Sequence, residues 1–296
     1  MKAKHFLQLV ALSALWGASF LFIRVASPVL GPNVLALLRV TLASLTLALI
    51  MRVLRQPWPF RHWRELGRIG VLSVAAPFVL FSWAALVLPA GYSALLNSTA
   101  VIFGVIASAW LKEDTLTVRK LAGCACGMAG VALIVGLGPV EPSPTVVLAV
   151  LGCVTASACY GFSAPLTKRA VSHLHPLPIA ASIHLVVWPL LLPGAAWSLP
   201  QARFSWLAML AVGVMGVVTS GLAYWAHLRI MRHVSPVAAM SPVFLVPVFG
   251  VLWGHWILGE ALGPSMLAGG ALVLFACALI TGFNPLSRRP QRPAQP

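Results

Sequence analysis

Apolar runs of about twenty residues fill almost the whole chain of 296 residues, and they constrain its fold more than any other feature. Charges, prolines and glycines interrupt the runs at short intervals. Because a helix needs about twenty apolar residues to cross a bilayer, we predict ten membrane spans. The spans cover residues 5–25, 34–53, 66–88, 93–111, 120–137, 145–165, 177–197, 205–227, 237–258 and 263–283.

The composition excludes a soluble domain. Apolar residues make up 60% of the chain and charged residues 8%, whereas soluble domains carry roughly 25% charged residues. The net charge of +15 would suggest nucleic acid in a soluble protein. Here the basic residues lie in short gaps between apolar runs, so we expect no nucleic-acid partner and a chain embedded in lipid.

The basic residues also predict the orientation of the chain. One side of the predicted bundle has only Arg24 and Arg203 at or between the span ends, and the other side has seventeen basic residues, which predicts that both termini are cytoplasmic. The first run is expected to be a retained helix rather than a cleaved signal peptide. The seventeen are Lys2, Lys4, Arg52, Arg55, Arg61, Arg64, Arg68, Lys112, Arg119, Lys120, Lys168, Arg169, Arg229, Arg232, Arg288, Arg289 and Arg292.

The two halves of the chain resemble each other at a shift of 144 to 146 residues. The tetrapeptide WGAS at 16–19 recurs as YGFS at 160–163, and Asp114 falls on Glu260. Each half holds five predicted helices, and an odd number makes the second half enter the membrane from the opposite side. We therefore predict an all-α membrane protein built as a 5+5 inverted repeat. Residues 1–139 and 140–283 form the repeats, and 284–296 form a disordered cytoplasmic tail.

Several of these residues carry a family resemblance. Trp16-Gly17-x-Ser19, Arg39, and the segments Glu113-Asp114-x-Leu116 and Gly259-Glu260-x-Leu262 resemble the ten-helix EamA-type branch of the drug/metabolite transporter superfamily. Within that branch the chain is most similar to YddG-type bacterial exporters of aromatic and other neutral amino acids. The resemblance implies a bacterial inner-membrane exporter that is not an enzyme. Four-helix relatives carry a Glu in their first helix as the proton and drug site, and the first span here has no carboxylate.

All five acidic residues lie outside the centres of the predicted spans. An ionised group at mid-membrane is costly and usually marks a proton or ion path, so its absence favours uncoupled transport by alternating access. A proton-coupled drug/metabolite antiporter remains the alternative, because His184 lies mid-span and histidine titrates near neutral pH. The acidic residues are Glu65, Glu113, Asp114, Glu141 and Glu260.

Neutral polar and aromatic side chains at depth predict the substrate site. Such groups suit a small neutral amino acid with an apolar side chain, bound between the halves. A single serine in a helix more often bonds the carbonyl of its own helix. The candidates are Trp16, Ser19, Arg39, Ser82, Asn97, Ser98, Tyr160, Ser163, His184, Tyr224 and Ser241.

Arg39 leaves two interpretations open. It lies about five residues inside its span, so its guanidinium could snorkel to the periplasmic surface along its apolar stem. It could equally attract a substrate carboxylate at the mouth of the cavity.

Other classes of protein find weaker support. A membrane-embedded lipid-modifying enzyme would need clustered His, Asp or Glu at one face, and His173 and His175 lack a third partner in the sequence. A lipid scramblase would need a continuous polar stripe that the helices lack. We expect no metal site and no cofactor, and the bilayer and a small-molecule substrate as partners. A monomer is expected, with a dimer left open.

Overall fold

The computed structural model describes residues 3–111, 117–137, 140–141, 143–230 and 241–281. No strand occurs within these ranges, which form ten consecutive helical segments. These are α1 Ala3–Leu30, α2 Pro32–Val53, α3 Phe60–Ala84, α4 Ala90–Trp110, α5 Val118–Leu137, α6 Pro144–His173, α7 Pro176–Ser198, α8 Trp206–Ile230, α9 Ser241–Leu258 and α10 Pro264–Thr281.

Each predicted span overlaps one of these segments, and the all-helical architecture is confirmed. Seven of them, α1 to α4 and α6 to α8, are long and apolar enough to cross a membrane by length and composition. The count of ten spans and the cytoplasmic position of both termini stay predictions. The tail 284–296 and the acidic pair Glu113 and Asp114 lie outside the described residues.

Helices α3 and α8 each contain a π-helical stretch. These stretches are Val71–Ala75 in α3 and Val214–Leu222 in α8. A π turn adds a residue to the helical repeat, so it rotates the residues that follow onto another face, and such turns are frequent at functional sites. As α3 and α8 are each the third helix of a half, the two irregularities occupy corresponding places.

The helices pack in pairs that follow the internal repeat. Helix α1 lies against α9 and, five helices further on, α6 lies against α4. In the same way α3 packs on α7 and α6, whereas α8 packs on α2 and α1. Exchange of the two halves replaces each helix by the one five places away. This exchange leaves three further pairs unchanged, namely α2–α7, α4–α9 and α5–α10. The pattern is therefore the one that exchange of two five-helix halves produces.

The repeated glycines lie where two of these helix pairs cross. A Cβ on Gly17 of α1 would lie 2.6 Å from Phe249 Cβ and 2.9 Å from the backbone nitrogen of Gly250. A Cβ on Gly161 of α6 would lie 2.6 Å from Phe103 Cβ and from the backbone nitrogen of Gly104. Only glycine allows backbones to approach so closely. The tetrapeptides in the two halves thus share a packing role.

The segment around Glu260 joins the second half of the chain to the first. Glu260 lies between α9 and α10, and its two carboxylate oxygens accept hydrogen bonds from the backbone N–H groups of Ala90 (2.6 Å) and Gly91 (2.9 Å). These are the first residues of α4, whose N–H groups have no partner within the helix. The negative charge also lies at the positive end of the α4 dipole, so Glu260 stabilises the start of that helix.

Adding a methyl group at a crossing glycine is expected to lower stability. Gly17→Ala and Gly161→Ala each force backbone atoms apart, at a cost of about 1–3 kcal/mol. We expect a lower melting temperature for each variant in detergent, measured by the fluorescence of a thiol-reactive dye or by circular dichroism.

Gly213→Ala is the matched control, because a Cβ on Gly213 meets nothing within 4 Å. Alanine favours helix over glycine by up to about 1 kcal/mol, so this variant should melt at the same temperature or higher. Equal melting of all three variants would contradict the packing role of Gly17 and Gly161.

Candidate substrate-binding site

Arg39 lies inside the bundle with its charge away from the surface. Arg39 lies two turns into α2 and is 8% exposed to solvent. The guanidinium Nε donates a hydrogen bond to Ser220 Oγ of α8 at 2.7 Å. The central carbon Cζ lies 3.7 Å from the centroid of the Phe78 ring of α3, which is cation–π geometry. Arg39 therefore joins three helices through its side chain, and the snorkelling interpretation is wrong.

No described carboxylate pairs with Arg39. Glu65 contacts two histidines elsewhere, and both oxygens of Glu260 cap α4. A charge removed from water without a counter-ion is destabilising by several kcal/mol, and a single hydroxyl and one aromatic face compensate only part of this. The guanidinium thus keeps donors that suit an anionic partner.

A line of aromatic rings extends from Phe20 to Tyr160 beside this cation. Phe20 contacts the Phe81 ring edge to face at 5.3 Å between centroids. Phe81 in turn stacks on Tyr160 at 6.1 Å. Tyr160 also lies close enough to Arg39 to interact with it electrostatically. These three rings form an aromatic wall within electrostatic range of Arg39.

His184 extends the aromatic cluster on the other side of Phe78. Its ring lies 6.4 Å from the Phe78 ring and 5.8 Å from the Tyr224 ring. Its Nδ1 lies 2.8 Å from the backbone oxygen of Ala180, and since a carbonyl only accepts, Nδ1 must be the donor. Nε2 is buried and has no hydrogen-bond partner. In the neutral tautomer with the proton on Nδ1, Nε2 is a free acceptor nitrogen.

Asn97 presents a second free acceptor at the break in α4, which lies between Asn97 and Ala100. Its Oδ1 is buried without a hydrogen-bond partner. The carbonyl of the preceding Leu96 accepts a bond from Ser157 Oγ at 3.2 Å, and Ser157 lies one turn before Tyr160 on α6. Asn97 is thus next to the turn that carries Tyr160. Ser98 follows it, also buried, at the break in α4.

The remaining serine candidates are mostly engaged with backbone. Ser19 Oγ donates to Leu15 O, and Ser163 Oγ donates to Tyr160 O at 2.8 Å. Ser82 is buried and its carbonyl accepts a bond from the Ser27 hydroxyl. The side chain of Ser241 lies outside the described residues.

Trp16 contacts α8 with its indole ring. Its Nε1 donates to the backbone oxygen of Thr219 at 3.2 Å, and its ring lies 5.0 Å from the ring of His227, edge to face. Trp16 and Tyr160 occupy matching places in the repeat, and Tyr160 lies within electrostatic range of Arg39.

Three residues that the sequence analysis did not single out complete the arrangement around Arg39. They are Phe78, Phe81 and Ser220. Phenylalanine is common in any apolar helix and carries no polar signal, so only tertiary contacts distinguish these two. The π-helical stretch that contains Ser220 could have drawn attention to α8, but hydropathy does not predict it.

An all-helical bundle with apolar helices, a buried cation and free polar atoms defines a class of proteins, the multi-pass membrane transporters. Within that class the chain belongs to the EamA-like transporter family, whose model matches residues 4–136 and again residues 147–282. The family is one of transporters.

Relatives with similar lengths carry transporter names. A probable terminal-alkyne amino-acid exporter of Streptantibioticus cattleyicolor is 27% identical over 90% of this chain and 89% of its own. The uncharacterized inner membrane transporter YedA of Escherichia coli K12 is 27% identical over 92% of this chain and 89% of its own. A crystal structure 18% identical in sequence has the same fold, with a TM-score of 0.67 over 95% of this chain and 99% of that one.

Removal of the Arg39 charge is expected to leave the fold at least as stable as before. Arg39→Met keeps an apolar stem of similar reach and removes a buried charge without a counter-ion, so the free energy of unfolding should stay equal or rise by about 1 kcal/mol or more. Thermal unfolding in detergent measures the difference.

Arg24→Met is the matched control, because Arg24 Nη1 donates a 2.6 Å hydrogen bond to the Ala85 carbonyl. Its loss should lower stability by about 1–3 kcal/mol. A large loss of stability in Arg39→Met would show that Arg39 is a structural residue.

Proposed function

We propose that this protein exports small neutral amino acids, aromatic ones among them, from the cytoplasm across the inner membrane. The observation that carries the proposal is Arg39, a buried cation without a described carboxylate partner beside a wall of aromatic rings. The relative named as a probable amino-acid exporter supports this class of substrate. The inner-membrane name of YedA supports the location.

Arg39 would bind the substrate carboxylate. A guanidinium offers two parallel N–H donors that match a carboxylate, and such charge-assisted bonds are strong in a low dielectric. Nε is already used by Ser220, which fixes the plane of the group and leaves the terminal nitrogens for the ligand. Binding would supply the counter-ion that the empty site lacks.

The aromatic wall would hold the apolar side chain of the substrate. Phe81 and Tyr160 present stacked rings next to the cation, and aromatic faces bind apolar and aromatic groups well. The ammonium group needs an acceptor, and the buried Asn97 Oδ1 would provide one, next to the Leu96 carbonyl that bonds Ser157 of α6. A site with one cation and neutral acceptors would favour zwitterions over cationic drugs.

Transport would follow from the pairing of the helices. Exchange of the two halves maps the helix pairs onto one another, and related transporters open alternately to each side through such pseudo-symmetry. The repeats at 1–139 and 140–283, their opposite orientation and the cytoplasmic termini belong to this proposal. With no acidic residue at the centre of a span, the transport is uncoupled and runs down the substrate gradient.

The carboxylate test compares phenylalanine with phenethylamine in proteoliposomes. Phenylalanine should undergo counterflow and compete with leucine, whereas phenethylamine, which lacks the carboxylate, should do neither. Arg39→Gln should raise the apparent KM for phenylalanine by about 10- to 150-fold, since a hydrogen bond to a charged group contributes about 1.5–3 kcal/mol.

Arg24→Gln is the control for this measurement, because it removes an arginine from the adjacent helix α1 without touching the site. It should transport phenylalanine with an unchanged KM. Equal transport of phenylalanine and phenethylamine by the wild type would contradict carboxylate recognition, as would an unchanged KM in Arg39→Gln.

Proton-coupled antiport is the second candidate, and the buried free Nε2 of His184 favours it. Uncoupled transport predicts that collapse of a proton gradient leaves phenylalanine counterflow unchanged, and that His184→Gln still transports. Glutamine retains a hydrogen-bonding side chain and cannot titrate. Accumulation of phenylalanine driven by a proton gradient, and lost in His184→Gln, would establish the antiporter instead.

A further inference from the structure

Three side chains that the substrate site does not use meet at one end of the bundle. His62 Nδ1 and His173 Nε2 each lie 3.2 Å from the same oxygen of Glu65, Oε2. All three donor atoms lie within 4.8 Å of one another. The side chains are 40%, 43% and 34% exposed for His62, His173 and Glu65, so the cluster is open to solvent.

The cluster exists because two distant helices place their ends together. His62 and Glu65 are three residues apart at the start of α3, which puts them on one face of that helix. His173 is the last residue of α6, more than a hundred positions along the chain. The sequence analysis found only His173 and His175 and no third ligand, whereas the fold brings a carboxylate and a histidine to His173.

We propose that His62, Glu65 and His173 bind a divalent transition metal ion, with Zn²⁺ as the reference ion. Two imidazoles and one carboxylate are a ligand set that zinc accepts, with a fourth position open to water. Ligands at 2.0–2.1 Å from a tetrahedral ion lie about 3.3 Å from one another. The two 3.2 Å separations already match that spacing, and a rotation of the exposed His62 and His173 rings closes the third.

Four arginines act against a cation here. Arg61, Arg64 and Arg68 of α3 and Arg169 of α6 line the same recess, of about 410 Å³. Glu65 nevertheless keeps its contacts with both histidines in the presence of these arginines. Exposed charges are screened by salt, so Zn²⁺ affinity should rise with ionic strength, whereas ions attracted to a surface by charge alone bind more weakly in salt.

Occupancy would connect the two halves of the protein. His62 and Glu65 belong to the first half and His173 to the second, on the face predicted to be cytoplasmic. A bound ion would therefore hold α3 and α6 together at that face and slow its opening. This consequence rests on the proposed function, whereas binding of the ion does not.

Titration calorimetry of the full chain in detergent, purified through a histidine-free tag, tests the site with Zn²⁺ alone. We expect one ion per chain, and affinity that falls by about tenfold or more in His62→Ala, Glu65→Gln and His173→Ala, since even outer partners of a metal contribute about 10- to 100-fold. His175→Ala, two residues from His173 and outside the cluster, is the matched control and should bind as the wild type does.

Equal Zn²⁺ binding by the wild type and the triple variant would overturn the proposal, as would a wild type that does not saturate with millimolar Zn²⁺. A Zn²⁺ affinity that falls as the salt concentration rises would also contradict binding at His62, Glu65 and His173. Unchanged melting temperatures of the variants without metal show that these exposed substitutions leave the fold intact.

Phenylalanine counterflow with Zn²⁺ present on both sides tests the consequence for transport. Zn²⁺ should inhibit counterflow, and a chelator should restore it. The variant with all three substitutions, His62→Ala, Glu65→Gln and His173→Ala, should not be inhibited. This result supports a bound ion that holds the cytoplasmic face closed. If Zn²⁺ binds saturably but does not inhibit transport, the metal site stands and the proposal that it closes this face is wrong. If no amino acid moves at all, the proposed function fails, and the calorimetry still decides the metal site.

Discussion

Inside a bilayer each polar group must find its partner within the protein, and this constraint organises the whole structure. Helices satisfy their own backbone, and many serine and threonine hydroxyls of the described bundle bond back to a carbonyl one turn earlier, as in Ser13, Thr41, Thr46 and Ser73. The exceptions stand out against that background. The Arg39 guanidinium, the Asn97 oxygen and His184 Nε2 keep unused capacity for hydrogen bonds in the interior.

The lipid surroundings also explain why a glycine recurs at equivalent positions of the two halves. With lipid around the helices, apolar burial does not drive them together as it does in water, so close van der Waals contact must. Gly17 and Gly161 provide that contact at equivalent crossings, one in each half. The aromatic residue beside each glycine then has different neighbours, since Trp16 bonds α8 and Tyr160 lies beside Arg39. The halves share packing but differ in chemistry.

The helices could be predicted from the sequence because hydropathy reports directly on the length of each apolar run. The surroundings of Arg39 could not, because hydropathy gives depth along a helix and not the direction of a side chain. Arg39 was compatible with the surface until the contacts with Ser220 and Phe78 placed it inside. His62, Glu65 and His173 met the same limit, since their proximity depends on how α3 packs against α6.

A buried cation also bears on whether such a carrier exchanges substrates or transports them in one direction. Among the described residues the Arg39 charge has a hydroxyl and an aromatic face as partners, and a bound carboxylate would neutralise it. Moving the halves past an uncompensated charge costs more than moving them past a paired one. If the site carries amino acids as proposed, reorientation of the loaded form would be favoured over that of the unloaded form. Exchange of one amino acid for another would then be faster than net export. The residue that selects the carboxylate would thus also couple occupancy to the conformational change.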